Sequence, residues 1–287
     1  MIDLRESSGL GFELLLDRQR LGVAFDPRDV DCKDDKHALG ERSIQAIREV
    51  TKDPEAEGPT ILYRMYRNMG RSDPASRELA RKWHVRYDIS VFDHGTLGQE
   101  WFKTSGHYHP PVPEAEQVSF PEVYEVIYGT ALFLLQKVAD PREVTKPGNI
   151  PAVTDVILIE VRQGERAVMP PNYGHVMINA SDDVVVTSNW VSSLFASVYE
   201  PYEKARGGAY YVVRDGQGLR LEPNPSYGSL PPCRRGRPRQ DLPALGLEAR
   251  TPLYASFLAR PEAFAYVSRP DLLLDELAPE RVIEIAD

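Results

Sequence analysis

From Val85 onward the chain makes short runs rich in Val, Ile, Tyr and Phe, each broken by Gly, Pro, Asn or Asp. Branched and aromatic side chains suit a pleated, half-buried surface, and the breakers supply turns. The runs are Val85–Phe92, Glu122–Tyr128, Ala131–Gln136, Val153–Val161, Val184–Thr187, Val191–Tyr199 and Tyr210–Val213. With 24 prolines and 20 glycines in 287 residues, long helices are disfavoured. The pattern predicts a mainly β protein, an antiparallel sandwich or barrel.

The two ends differ from this middle. Residues 1–60 are mixed and polar, with one helix expected over Ser43–Lys52, where Ile44, Ile47 and Val50 form a stripe. A short strand is expected at Tyr63–Tyr66. A helix follows, with Asp73 as cap, Pro74 in the first turn and Glu78–Trp83 beyond. Residues 223–243 are rich in Pro, Gly and Arg (Arg234, Arg235, Arg237, Arg239) and read as a linker or a wrapped arm rather than a nucleic-acid patch. Leu253–Leu258 and Leu272–Leu277 read as short amphipathic helices. The expected division is therefore an N-terminal extension (1–60), a barrel (61–221) and a C-terminal arm with helices (222–287).

Charge and cysteine content narrow the class. A formal charge of −9 disfavours a broad nucleic-acid surface, while a local pocket for a phosphorylated small molecule stays open. Cys32 and Cys233 match no metal or redox spacing, which suits a reduced compartment. No basic segment followed by an apolar run opens the chain, and no stretch reaches the ~20 apolar residues that span a bilayer. The expectation is a cytoplasmic protein without membrane or nucleic-acid partners.

The chemistry concentrates in Thr104-Ser-Gly-His-Tyr-His109 and Pro121-Glu-Val-Tyr-Glu-Val-Ile-Tyr-Gly129. In a strand, side chains at i and i+2 leave one face, so His107 and His109 point together while Tyr108 faces away. Glu122 opens the next strand, and His175 arrives from a later one. Three imidazoles and one carboxylate suit a single divalent transition ion (Fe, Zn, Mn or Ni) with positions left for substrate or water. A lone His-x-His is common on exposed strands, but three of the chain's six histidines gather here.

These spacings resemble the two signature motifs of the cupin superfamily. Glu122 and Gly129 keep the first motif's interval, and Gly164, Pro170, His175 and Asn179 fall at the places of the second. Asn172 stands where the motif has glycine; asparagine visits left-handed backbone more easily than most residues. The spacer from His109 to Glu122 is longer than usual.

Arg86-Tyr-Asp-Ile-Ser90, Leu97-Gly-Gln-Glu-Trp-Phe-Lys-Thr-Ser-Gly-His-Tyr-His109, Glu122-Val-Tyr124 and Pro170-Pro-Asn-Tyr-Gly-His175 resemble the archaeal-type, cupin glucose-6-phosphate isomerases over roughly residues 60–215. The resemblance implies a cupin barrel, a metal held by His107, His109, Glu122 and His175, a phosphorylated hexose as substrate, and a homodimer. It also implies sugar-phosphate contacts at Ser90, Thr104 and Gly106, with Tyr173 and Tyr199 on the substrate side. Where the family has Tyr-Trp-Ala before the last histidine, this chain has Asn172-Tyr173-Gly174, which points to a shifted substrate preference. Aldose–ketose isomerisation has two routes, proton removal at C2 with Glu122 as the nearest base, or a direct hydride shift. The rival readings are another metal-cupin enzyme, such as an oxygenase or an isomerase of a different sugar phosphate, and a non-catalytic sugar-phosphate-binding cupin.

Overall fold

The computed structural model describes residues 1–31, 39–216 and 218–286; Cys32 lies outside them. Fourteen strands carry the description: β1 (Leu39–Ser43), β2 (Ile61–Tyr66), β3 (Val85–Phe92), β4 (Glu100–Lys103), β5 (Glu122–Tyr128), β6 (Thr130–Val138), β7 (Val153–Arg162), β8 (Arg166–Met169), β9 (Tyr173–Asn179), β10 (Val185–Ser192), β11 (Tyr210–Asp215), β12 (Gly218–Pro223), β13 (Cys233–Pro238) and β14 (Ile283–Ile285). They form two sheets, in order β8-β5-β10-β3-β2-β1 and β12-β11-β4-β9-β6-β7-β13-β14. The mainly β barrel expected from the sequence is formed.

Every labelled pair is antiparallel except β7 with β13, which run parallel. The Pro/Arg-rich segment is thus an arm laid along the second sheet, and Arg237 ties it down through Glu160 and Glu165 at 2.6 Å each. Arg234 pairs with Asp155 at 2.6 Å in the same way. These contacts are partly solvated, so the strand pairing carries more of the docking than the charges do.

Three expectations need correction. Val191–Tyr199 is not a strand of its own: β10 runs through from Val185 to Ser192, where the Ser192 hydroxyl accepts the Leu194 N–H at 3.3 Å and the chain turns. Leu272–Leu277 is not a helix; Pro270 starts a single 3₁₀ turn, and Leu272 and Leu274 stay exposed. A four-residue helix follows only at Pro279–Val282. The helix expected over Ser43–Lys52 is one α turn at Ile44–Ile47 continuing as 3₁₀ to Val50, although its stripe is buried as read and Ser43 caps it.

The helix Pro74–Lys82 begins as expected, with the Asp73 carboxylate accepting the Ser76 N–H at 3.0 Å. A three-stranded sheet of Ile2–Asp3, Leu15–Asp17 and Gly22–Ala24 escaped the sequence reading. Its Leu4, Leu10, Leu14 and Leu16 are buried in the core. The long spacer between His109 and Glu122 is a ribbon, Pro111–Val112 paired with Ala115–Ser119. Asn172 stands at φ 67° and pins that ribbon: its side chain accepts from Ser119 N at 2.8 Å and donates to Gln117 O at 3.0 Å.

The C-terminal segment covers the outer face of the first sheet. The helix Leu253–Ala259 stacks Tyr254 on Trp190 (5.4 Å between ring centroids) and Phe257 on Trp190 (4.2 Å). Burying aromatics of this size contributes roughly 2–3 kcal/mol each, which anchors a segment with little regular structure of its own.

Candidate metal centre

His107 and His175 face each other across a two-way backbone pairing: His107 N donates to His175 O at 3.2 Å, and His175 N donates to His107 O at 3.0 Å. Opposed residues in antiparallel strands carry their side chains on one face, so this pairing aims both imidazoles into the barrel. His109 follows two residues on. Tyr108 leaves the other way, packs on Tyr202 with centroids 5.0 Å apart, and its hydroxyl accepts from Gln136. The alternation read from the sequence is the one observed.

Glu122, first residue of β5, comes from the facing sheet. Its Oε2 lies 3.2 Å from His175 Nε2, 3.3 Å from His109 Nε2 and 3.9 Å from His107 Nε2. One ligand atom from each of the four residues falls within 4.8 Å of all the others. His109 is held by its Nδ1, 2.8 Å from Phe120 O, which turns Nε2 toward Glu122. Among the described residues, His109 Nε2 and Glu122 Oε2 have no hydrogen-bond partner although both are buried. Buried polar atoms left unpaired cost several kcal/mol, unless something sits between them. A small divalent cation at their meeting point meets that need, and the four donors fit one.

Electrostatics agree with that reading. Burial, followed by the neighbouring His175 and His109, pushes the His107 imidazolium pKa far below its usual range. Burial lowers that of His175 as well, against the pull of Glu122. For Glu122 burial alone would raise the carboxyl pKa, but the close approach of His109 and His175 outweighs it and holds the group low. Neutral imidazoles and an ionised carboxylate are the ligand forms that a metal takes.

The cavity beside the cluster is lined by Tyr63, Ser90, Thr104, Ser105, Gly106 and Tyr199, among others. Ser90, Thr104, Gly106 and Tyr199 are thus brought together with the histidines, and the Tyr199 ring lies 5.5 Å from that of His107. Gly106 takes φ 74°, and a Cβ there would sit 2.7 Å from both Tyr202 and Val176. Tyr173 is placed elsewhere: its hydroxyl donates to Asp155 at 2.7 Å, and it is not among the cavity's lining residues.

Two residues of the site were not singled out from the sequence. Asn189 Nδ2 donates to Glu122 Oε1 at 2.6 Å, fixing the carboxylate so that Oε2 faces the imidazoles. Its signal was an asparagine, a poor strand former, in the middle of a strong strand. Phe195, from the loop after β10, packs its ring 4.4 Å from that of His109.

Residues 36–227 match the family model described as "Glucose-6-phosphate isomerase (GPI)". The chain belongs to that family. Within it, 134 residues are 27% identical to the glucose-6-phosphate isomerase of Thermococcus litoralis, covering 47% of this chain and 56% of that protein. The chain thus spans little more than half the length of this relative. Among solved structures, an oxalate oxidase in complex with the substrate analogue glycolate overlaps with a TM-score of 0.28 at 18% identity, over 40% of this chain and 46% of that one. Bacillus subtilis oxalate decarboxylase overlaps at 0.31 and 15%, over 50% and 28%. With its barrel, its family match and both signature motifs, the family member described here is a cupin.

Proposed function

We propose that this protein is a metal-dependent aldose–ketose isomerase interconverting glucose 6-phosphate and fructose 6-phosphate. The observation that carries the reading is the convergence of His107, His109, Glu122 and His175 within the region that matches the isomerase family. A divalent ion (Fe, Zn, Mn or Ni) held by these four would act as a Lewis acid on the oxygens of the open-chain sugar.

The remaining work falls to the chain's own groups. Ser90, Thr104 and the Gly106 backbone offer hydrogen bonds to the phosphate without a strongly basic pocket. Thr104 is fixed for this, since its hydroxyl accepts Met177 N–H at 3.1 Å and keeps its proton to donate. Tyr199, beside His107, and Tyr124, beside His175, line the cavity. Glu122 is the carboxylate of the cluster, with its pKa held low by His109 and His175 against the effect of burial, so it is the base if a proton is moved from C2. A hydride shift needs only that the carbons be aligned, and tritium label at C2 tells the routes apart: washout into water marks proton transfer, retention marks the shift. A homodimer in the cytoplasm is part of the same proposal.

The test supplies fructose 6-phosphate to purified protein and detects glucose 6-phosphate with a coupled dehydrogenase. Turnover is expected to vanish on chelation and to return with one added ion. Absence of turnover with every one of the four ions would overturn the reading.

A further inference from the structure

Beside the metal cluster lies a second, ionic lobe whose Arg67, Arg86 and Asp88 the functions assigned above leave unused. Along β3, Arg86, Asp88 and Ser90 leave the same face. Across the sheet they are registered in rows: Glu122–Val191–Arg86, Tyr124–Asn189–Asp88, and Thr187–Ser90. Arg86 therefore stands level with Glu122, two strand spacings or about 10 Å away between backbones, and about 13 Å along the strand from Ser90. The Arg86 fork is oriented by Asp88, with Nε and Nη2 each bound to the carboxylate at 2.9 Å. Asp88 is itself fixed by the Asn68 N–H at 2.9 Å. The Arg86 side chain is still 36% exposed, and its Nη1 makes no hydrogen bond among the described residues. Arg67 lines the same lobe.

The two lobes share Met65, Ser90, His107, Tyr124 and Tyr199 but differ in charge. The hydroxyl lobe has no lysine or arginine among its lining residues. The ionic lobe has two arginines, Arg67 and Arg86, with Glu122 of the metal cluster also in its lining. An open-chain phosphosugar is two-ended in the same sense. With its phosphate among Ser90, Thr104 and Gly106, its other end carries C1 and C2 to the cluster, and Arg86 stands level with Glu122 at that end.

We propose that Arg86, oriented by Asp88, is the specificity-determining contact for the end of the substrate that lies away from the phosphate. This rests on the isomerase reading for which end is which. A planar guanidinium gives two directed N–H groups to adjacent oxygens, which a lysine ammonium does not match. The contact favours a six-carbon chain that reaches both lobes over phosphate alone.

Calorimetric titration of metal-loaded protein tests this with two probes, inorganic phosphate and a six-carbon aldonic acid 6-phosphate. Arg86→Lys and Asp88→Asn are each expected to weaken the sugar acid at least about ten-fold, leaving phosphate within about two-fold and metal content unchanged. Equal weakening of both probes, or of neither, would overturn the proposal. Should Arg86→Lys not fold, Arg67→Gln at a half-buried position reads the same lobe, with the same selective loss expected. Wild-type protein that binds the sugar acid through Arg86 yet turns over no fructose 6-phosphate would sink the isomerase reading and leave this contact standing.

Discussion

Two glutamates three residues apart on β5 show how differently one strand treats its two faces. Glu122 points into the barrel and is nearly inaccessible, yet its carboxyl is held below the usual range by the imidazoles around it. Glu125 points outward, is equally buried under the C-terminal segment, and its pKa is pushed up to about 8, with burial as the main cause. Among the described residues its one hydrogen-bond partner is the Leu253 N–H at 2.9 Å. Burial by itself penalises charge; what decides the outcome is whether the surroundings supply compensating donors and charges. The inner face supplies enough to outweigh burial; on the outer face the Leu253 N–H and the charge of Arg166 do not.

The largest effect that separates the faces comes from the inner one. Glu122→Gln removes the only carboxylate of the cluster and is expected to lower bound metal severalfold and turnover by about a thousand-fold or more, with the fold kept. Elemental analysis alongside circular dichroism checks this, and a fully metallated Glu122→Gln protein would break the comparison.

On the outer face, Arg166 stands opposite Glu125 in β8 and is buried. Its guanidinium donates to the carbonyls of Gln240 and Glu248 at 2.8 Å and of Thr251 at 3.2 Å, holding the C-terminal segment to the sheet. Arg166→Met is expected to cost about 3 kcal/mol or more in urea unfolding, because several buried carbonyls lose their donor. Metal content should not change; a parallel loss of metal would show that the two faces are coupled.

Glu125→Gln sharpens the contrast through pH. The folded pKa of Glu125 lies above its ordinary 4.5. Between that value and about pH 8 the folded protein keeps a proton that the unfolded chain has released, so stability falls as pH rises across the window. The Gln variant removes this slope. It is expected to match wild type near pH 4.5 and to be more stable by about 2 kcal/mol at pH 8. Parallel stability curves for the two proteins would contradict the raised pKa.

The smallest effect concerns Asn189→Ala, which frees Glu122 Oε1. A loss of about ten-fold in metal affinity is expected, since groups that orient a ligand matter nearly as much as the ligand. A competition titration with a chromophoric chelator measures it, and unchanged affinity would mean that the imidazoles alone position Glu122.

Much of the site was legible because short-range geometry fixed it. The His107-x-His109 alternation needs only a strand, and β3 and β5 begin and end where their runs of branched and aromatic residues do. Asn172 could be read as a left-handed residue from its chemistry, and it takes that conformation. The Leu272–Leu277 run misled because leucines spaced like a helix stripe were flanked by prolines on both sides; Leu277 is buried and Leu273 packs at the core's edge, while Leu272 and Leu274 stay exposed. The three N-terminal strands were illegible because each is too short to show a period.

What the sequence by itself determined are the ligand types, their spacing and the strand faces that carry them, since these follow from backbone alternation within a few residues. Only the tertiary structure decided that Asn189 would hold Glu122, that Phe195 would cover His109, and that the Arg-rich arm would become a strand. Each of these joins residues far apart in the chain, and such pairings are set by how two sheets close on one another rather than by any local preference.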